Sequence, residues 1–208
     1  MPLSQTTVGA QYASDGQTVT QRAGKQGDGI VSELHARYYE QTYRGNVYSG
    51  AIVGATTSIG LATAYTGLCL SNPLGSNVNV VVNKVGYAFT VAFTAAAVVG
   101  LATGYHASTN VVHTTPVTPR SQFFNGATGA GKALLDSAAT LPVGPTVNQI
   151  LASGLTGAIT TAPFVPGGLI DLEGALILVP GAFAILYTST ASGVAGASAS
   201  YAWEEVPV

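Results

Sequence analysis

The chain has 208 residues, of which 8% are charged and 47% are apolar or aromatic. Soluble domains usually carry about 25% charged residues, so this chain is short of charge although its apolar content is ordinary. Seven basic residues against nine acidic ones provide no basic surface for phosphates, which argues against a nucleic-acid partner. The single cysteine, Cys69, cannot close an intramolecular disulfide and is expected to be a small buried apolar residue. The N-terminus lacks the pattern of a secretory signal, which predicts assembly in a cytoplasm.

Charge divides the sequence into two parts. Eight of the sixteen charged residues fall within the first 44 positions, and only six are spread over residues 45–203. We therefore predict an N-terminal arm over residues 1–46 and one body domain over residues 47–208. A free globule needs about 25–35% charged surface residues to stay apart from its copies, so a body this poor in charge is expected to exist inside an assembly.

The N-terminal arm itself has two predicted parts. Residues 1–29 are rich in Gln, Gly, Ser and Thr and lack apolar periodicity, so we expect them to be disordered unless a partner orders them. Residues 32–44, SELHARYYEQTYR, place opposite charges four positions apart and predict a short helix. Because tyrosine suits sites that are buried at one end and wet at the other, this helix either packs on its own body or grips a neighbouring subunit. The interface candidates are Leu34, Arg37, Tyr38, Tyr39, Tyr43 and Arg44.

The body is predicted to be all-β. Its longest strand signal, Asn77–Phe93, alternates apolar and other residues but changes phase near Lys84, which predicts a bulge or turn at Asn83 and Lys84. Shorter runs of the same kind, separated by turn signals about every 8–12 residues, indicate a sandwich or barrel. These runs are Val47–Ala55, Ala64–Leu70, Val111–Val117, Ile150–Thr161, Leu169–Val179, Phe183–Thr188 and Ala197–Val206.

Two details of the body leave room for other interpretations. Lys132–Leu141, KALLDSAATL, is either a short helix or an irregular loop. Gly86–Tyr105 is uncharged and long enough to span a membrane, but threonines and a glycine interrupt it and no basic clusters flank it. Two consecutive buried strands explain it better, and no membrane partner is expected. The final strand is predicted to leave its last charges, Glu204 and Glu205, in water.

One segment matches a nucleotide-binding pattern. GATGAGK, Gly126–Lys132, fits GxxxxGK letter for letter. Such a loop also needs a Ser or Thr after the lysine to hold Mg²⁺, a buried strand before it and a helix after it. Ala133 stands in the hydroxyl position, and strands and helices do not alternate around the segment. A glycine-rich surface loop is the better interpretation, and no nucleotide cofactor is expected.

Catalytic and metal-binding patterns are missing from the sequence. There is no GxSxG elbow, and no acid is placed to suggest a triad with His35, His106 or His113. The two later histidines have no other metal ligand beside them, so each is expected to bond to backbone. Asp171 and Glu173 follow a PGG turn and are expected to be solvated strand-edge acids rather than a glycosidase pair. We therefore expect no enzyme activity, no metal and no cofactor.

Three segments of the body are similar in sequence character to a known group of proteins. They are NPLGSNVNVVVNKVGYAFTVAF (Asn72–Phe93), LEGALILVPGAFAILYTST (Leu172–Thr190) and YAWEEVPV (Tyr201–Val208). In these segments the chain resembles the jelly-roll virion proteins of tailed bacteriophages, in particular those that act as capsid decoration or cement proteins. The resemblance implies a jelly-roll sandwich for the body and an extended, partly helical arm that reaches across capsomers.

The resemblance also implies partners and a location. Such proteins are typically trimers on the outside of the head, so the chain is expected to form a homotrimer and to bind the major capsid protein on the surface of a virion. Its action would be mechanical, since interfaces that exist only on the intact shell favour that shell. An alternative keeps the jelly roll but makes it a receptor- or glycan-binding module of a tail or fibre. That module would use exposed Tyr65, Tyr105 or Trp203.

Overall fold

The computed structural model describes residues 37–57, 61–91, 93, 95–124, 131–154, 167–192 and 196–208. The chain divides into an N-terminal unit, Met1–Glu40, and a compact unit, Gln41–Val208. The described residues form one helix and twelve strands: α1 (Tyr39–Tyr43), β1 (Val47–Ala55), β2 (Ala64–Ser71), β3 (Val78–Phe89), β4 (Ala97–Tyr105), β5 (Val112–His113), β6 (Pro116–Val117), β7 (Arg120–Ser121), β8 (Leu134–Thr140), β9 (Thr146–Gly154), β10 (Gly168–Leu178), β11 (Ala182–Thr188) and β12 (Ala197–Pro207).

The strands form two antiparallel sheets that pack as a sandwich, which confirms the all-β prediction. One sheet has five strands in the order β10-β3-β12-β1-β7. The other has the order β5-β8-β2-β11-β4-β9, with β6 also paired to β8. The longest ladder joins β3 to β12 and runs from Val78 opposite Pro207 to Phe89 opposite Ala197.

The core lies between the two sheets and follows from the alternation of side chains along the strands. In a β-strand, successive side chains point to opposite faces, so every second residue of β3 and β12 is turned inward. In β12 this buries Tyr201 and Trp203, while Ser198 and Ser200 between the buried positions stay partly exposed. The largest core side chains with 1% exposure or less are Val80, Val82, Tyr201 and Trp203 from one sheet and Leu68, Leu70, Leu101, Leu135 and Leu186 from the other.

The phase change predicted near Lys84 is confirmed as a bulge in β3. In the ladder with β12, Ala202 lies opposite Lys84 but the next residue, Trp203, lies opposite Val82, so Asn83 has no counterpart. An extra residue of this kind restores the inward phase on both sides of the bulge. Gly86–Tyr105 likewise forms two consecutive strands, the end of β3 and all of β4, as expected.

Other sequence predictions need correction. Lys132–Leu141 is neither a helix nor an irregular loop, because most of it forms β8, which pairs with β2 and buries Leu135 in the core. The helix-favouring residues of this segment yield to sheet pairing and burial. Val111–Val117 is split into the two-residue strands β5 and β6, and the second half of Ile150–Thr161 lies outside the described residues.

The helix predicted for residues 32–44 is described only from residue 37 onward. Within that range, α1 covers Tyr39–Tyr43. Gly45, two residues after the end of the helix, has a φ of +77°. The N–H groups of Gly45 and Asn46 donate to the carbonyls of Thr42 and Gln41 and so close the last turn. In the described ranges no helix is long and apolar enough to cross a membrane.

A second, smaller apolar cluster lies on the outer face of the sheet that contains β2 and β11. It is formed by Tyr65 and Cys69 from β2, Phe183 and Ile185 from β11, and Val111 from the connection between β4 and β5. The phenol of Tyr65 donates to the carbonyl of Leu186 at 2.8 Å. This cluster encloses the Cys69 thiol, whose pKa burial raises.

Glu205 is buried, contrary to the prediction that it faces water. It is 7% exposed, and Oε1 accepts the N–H groups of Lys132 at 2.8 Å and Ala133 at 2.9 Å as well as the indole N–H of Trp203 at 3.2 Å. A carboxylate with several donors replaces the water it has lost. Glu205 therefore ties the start of β8 in one sheet to β12 in the other.

Replacement of this carboxylate tests that tie. Glu205→Gln keeps the shape of the side chain but removes its charge, and we expect it to lower the free energy of unfolding by about 1.5–3 kcal/mol, the usual value for hydrogen bonds to a charged group. The matched control is Glu204→Gln, on the opposite face of β12, where the change should stay within about 0.5 kcal/mol. Urea unfolding at neutral pH measures both. Equal losses in the two variants would contradict the tie.

Candidate functional site

The interface residues predicted in the arm are described in part. Leu34 lies outside the described residues. Arg37, Tyr39, Tyr43 and Arg44 are exposed, and Tyr38 is half-buried. Nothing in the structure tests whether they contact a partner, so their interface role stays a prediction.

An aromatic patch, defined as Tyr43, Phe123 and Phe124, extends the candidate interface beyond the arm. The ring of Tyr43 meets that of Phe123 edge-on with 5.8 Å between centroids. Phe124 is 86% exposed and Tyr43 62% exposed. The loop that carries both phenylalanines is held beside β1, because the N–H of Gln122 donates to the carbonyl of Val47 at 2.8 Å. Exposed aromatic rings in a cluster are typical of protein-binding surfaces.

A second candidate surface is the small-residue face, the outer side of the five-stranded sheet. Two adjoining depressions of about 460 and 500 Å³ lie on it, and Ala51, Leu169 and Ser200 line both. Val53 and Leu169 are 88% and 68% exposed there. Its outward residues are Ser49, Ala51, Val53, Lys84, Gly86, Ala88, Leu169, Ser198, Ser200 and Ala202.

Charge is confined to one end of this face. Among the described residues that line the larger depression, none is charged, while Lys84 and Arg120 line the smaller one. Gly86 leaves room on this face for the Ser200 side chain of the neighbouring strand, since a Cβ at this position would collide with the Ser200 hydroxyl. The part of the face around the larger depression is therefore uncharged and lined mostly by small side chains, and a second protein surface can approach it closely.

A polar site lies on the other sheet and joins three residues that are far apart in the chain. Ser71 ends β2, His113 ends β5 and Asp136 lies within β8. The imidazole Nε2 of His113 is 3.0 Å from the hydroxyl of Ser71, and its Nδ1 is 3.2 Å from Oδ2 of Asp136. The expectation that no acid accompanies His113, and that this histidine bonds to backbone, is therefore wrong.

Backbone groups hold Asp136 in place. Its Oδ1 accepts the N–H groups of Thr115 at 2.9 Å and Ala138 at 2.8 Å, and the side chain is fully buried. Oδ2 and Nδ1 of His113 are close, but the ring N–H is not aimed well enough at Oδ2 to make an aligned hydrogen bond. Buried polar atoms that lack an aligned partner call for a functional or structural explanation.

Electrostatics keep His113 neutral. Burial lowers its pKa from the ordinary value of 6.5, and the nearby Asp136 carboxylate only partly opposes this effect. The neutral ring that best fits its surroundings carries its proton on Nδ1, toward Asp136, and leaves Nε2 to accept the hydroxyl of Ser71. The sequence signal for this site was hidden, because the three residues belong to separate strands and Asp136 sits in a segment with helix-favouring residues.

The remaining sequence candidates are placed as follows. Nδ1 of His106 accepts the N–H of Ser108 at 3.4 Å, which confirms a backbone bond for this histidine. Asp171 and Glu173 are exposed on the edge strand β10, as expected. Glu173 has a φ of +53°, and its N–H donates to Asp171 at 2.9 Å, within an irregular part of the ladder.

Two further candidates lose support. Residues 126–130 of the GxxxxGK segment lie outside the described residues, and the strand β8 rather than a helix follows Lys132. Tyr65 and Trp203 are buried, so of the three aromatic residues named for a glycan site Tyr105 alone is exposed. Across the described ranges, no group of three or more His, Cys, Asp and Glu residues is arranged to hold a metal ion.

Comparison with protein-family models, curated proteins and solved structures finds no match to this chain. Its function is therefore inferred from its own residues and strand order.

The polar site makes stability depend on pH. The unfolded chain binds a proton at His113 near pH 6.5, whereas the folded chain resists it, so stability should fall as the pH drops below 6.5 and level off below the lowered folded pKa. Urea unfolding between pH 7.5 and pH 5 measures this loss. His113→Gln should lower the free energy of unfolding by about 1 kcal/mol at neutral pH. On acidification, the variant should lose less of its free energy of unfolding than the wild type does. If the wild type and His113→Gln lost the same stability between pH 7.5 and pH 5, the pH dependence could not be assigned to His113.

Proposed function

We propose that the sandwich is a jelly roll. If β5 to β8 are treated as an insertion between β4 and β9, eight strands remain, and they can be numbered 1–8 along the chain. They then lie in the orders 6-3-8-1 in one sheet and 2-7-4-5 in the other. This is the order of an eight-stranded double-sheet jelly roll, an architecture common in viral shell proteins and in lectins. The strand order is the single observation that most supports the viral resemblance.

On this basis, we propose that the chain is a virion structural protein that decorates and cements the capsid of a tailed bacteriophage. Fold alone does not define a function, so the proposal also depends on two surfaces. The small-residue face suits contact with further copies of the chain, and the aromatic patch suits contact with the shell. The patch includes Tyr43, which is one of the interface residues predicted from the sequence of the arm.

Stabilisation would come from linkage. A protein that binds the assembled shell but not its separated subunits shifts the equilibrium toward the shell, by an amount that grows with its concentration relative to its dissociation constant. This mechanism requires several weak contacts and no catalytic group. The tail or fibre alternative is less supported, because two of its three candidate aromatic side chains are buried in the sandwich.

The homotrimer is tested by the mass of the purified full-length chain in solution. Light scattering after size exclusion should give three times the 20.9 kDa chain mass. Val53→Arg places a charge on the small-residue face and should shift the population to monomers. Val143→Arg, in the connection between β8 and β9, is the matched control and should remain trimeric. A wild-type monomer at all concentrations would refute the trimer.

Attachment to a capsid is tested with phage particles produced without this chain. The purified wild-type chain should bind such particles and raise the temperature at which they release DNA. Aromatic residues that act as binding hot spots contribute about 2 kcal/mol or more each, so the double variant Tyr43→Ser and Phe124→Ser should bind at least about 10-fold more weakly. Deletion of residues 1–44 should abolish attachment and leave a folded body.

The control for the double variant is Tyr105→Ser, which removes a tyrosine that is 56% exposed on the opposite sheet. It should bind particles like the wild type. Unchanged occupancy of the particles by the truncated chain would rule out the cement function, whereas binding to a glycan array that requires Tyr105 would favour the tail or fibre alternative.

A further inference from the structure

We propose that Ser71, His113 and Asp136 form an active Ser-His-Asp triad that hydrolyses small acyl esters. The chain of contacts runs from the Ser71 hydroxyl to Nε2 of His113 at 3.0 Å and from Nδ1 of His113 to Oδ2 of Asp136 at 3.2 Å. A nucleophile within reach of a base, and a base oriented by a third group, is the arrangement that activates a serine. The activity goes beyond the structural role proposed above and does not depend on it.

Each residue has a distinct role. Ser71 is the nucleophile and His113 the general base, while Asp136 is a positioning residue. The two backbone N–H groups bound to Oδ1 fix the Asp136 carboxylate, so Oδ2 stays beside Nδ1. The ring N–H is not yet aligned with Oδ2, but catalytic hydrogen bonds are often loose in the free enzyme and tighten when substrate binds.

The triad opens into a cavity that limits the size of the substrate. Ser71 and His113 line a cavity of about 130 Å³ together with Asn110 and Leu134, both exposed at the surface. Ser71 is itself only 3% exposed, so a reacting group must enter the cavity to reach it. A cavity of about 150 Å³ can hold benzene, so this volume admits a short acyl group of a few carbon atoms, whereas a large alcohol part of the ester would stay outside.

Asn110 lines the same cavity and carries a side-chain amide that is our candidate for the oxyanion donor. Its Oδ1 accepts the N–H of Leu74 at 2.7 Å, which fixes the amide group at the wall of the cavity. The Nδ2 group is the hydrogen-bond donor of that side chain. Side-chain amides serve as oxyanion donors in acyl transfer, and the loss of one donor typically costs about 100- to 1,000-fold in rate.

The reaction needs no cofactor. The Ser71 oxygen attacks the carbonyl carbon while its proton moves to Nε2 of His113; the bond to the alcohol oxygen then breaks, and that oxygen takes the proton from Nε2. Water attacks the acyl-serine and gives one proton to Nε2, which returns it to the Ser71 oxygen as the acyl bond breaks. The net change is ester plus water to carboxylic acid plus alcohol.

The first test uses the full-length wild-type chain and an alkyl fluorophosphonate. In this reaction the Ser71 oxygen forms a bond to phosphorus, the P–F bond breaks, and fluoride leaves with the serine proton as HF. Mass spectrometry of the intact chain and its peptides should find one phosphonyl group, located on Ser71. If the three residues form only a structural hydrogen-bond network, the folded chain carries no label at Ser71, and that result overturns the proposal.

Variants then separate catalysis from structure. Ser71→Ala should lose the label, and His113→Asn should slow labelling about 100-fold or more. The matched control is Ser137→Ala. Ser137 is the neighbour of Asp136 on β8, and its hydroxyl donates to the Thr115 carbonyl at 3.3 Å and not to His113. This control should be labelled like the wild type. Thermal unfolding of each variant confirms that it is folded, and equal labelling of His113→Asn and wild type would refute the role of His113.

A pH profile tests Asp136. Two groups among the described residues face the ring of His113, Ser71 from β2 and Asp136 from β8. Hydrolysis of p-nitrophenyl acetate should rise with pH as His113 loses its proton, with a midpoint below 6.5. Asp136→Asn keeps an Oδ1 acceptor but removes the charge that favours protonated His113, so it should lower both the rate and the midpoint. A reduced rate with an unmoved midpoint would refute the positioning role.

Discussion

Burial of one face of β3 and β12 between the sheets is the constraint on which the other features depend. The two strands share the longest ladder among the described strands. Their inward residues fill the centre of the core, and the most buried of them are Val80, Val82, Tyr201 and Trp203. Because a strand has two faces, this burial also determines what lies outside. Small residues occupy most of the outer positions, where Lys84 and Glu204 are the charged exceptions, so the same alternation that forms the core creates the small-residue face.

The two buried carboxylates that the structure describes in this charge-poor body are each held by hydrogen-bond donors. Glu205 is compensated by backbone and indole donors, and Asp136 by two backbone N–H groups. In an apolar interior, a carboxylate without donors would cost several kcal/mol. The two acids differ in one respect, since Oδ2 of Asp136 lies beside Nδ1 of His113 without an aligned hydrogen bond, whereas Oε1 of Glu205 accepts three N–H groups.

Local sequence patterns predicted much of the fold. Alternation within single strands gave the limits of β1 and the bulge at Asn83, because both depend on neighbours in the chain. The strand β8 was missed, since its pairing with β2 outweighs its helix-favouring residues. The Ser71, His113 and Asp136 cluster and the aromatic patch could not be predicted, because they join residues from separate strands or loops, and strand order cannot be derived from periodicity.

The irregular segment of β10 has a consequence for pairing between molecules at the edge of the sheet. β10 is an edge strand, and an edge with free backbone groups invites a further strand from another molecule. Here the left-handed turn at Glu173 and Gly174 breaks the flat edge and holds two acidic side chains outward. At this edge the sheet therefore offers no continuous row of backbone groups to a strand from another molecule, which protects a charge-poor protein from edge-to-edge pairing at β10.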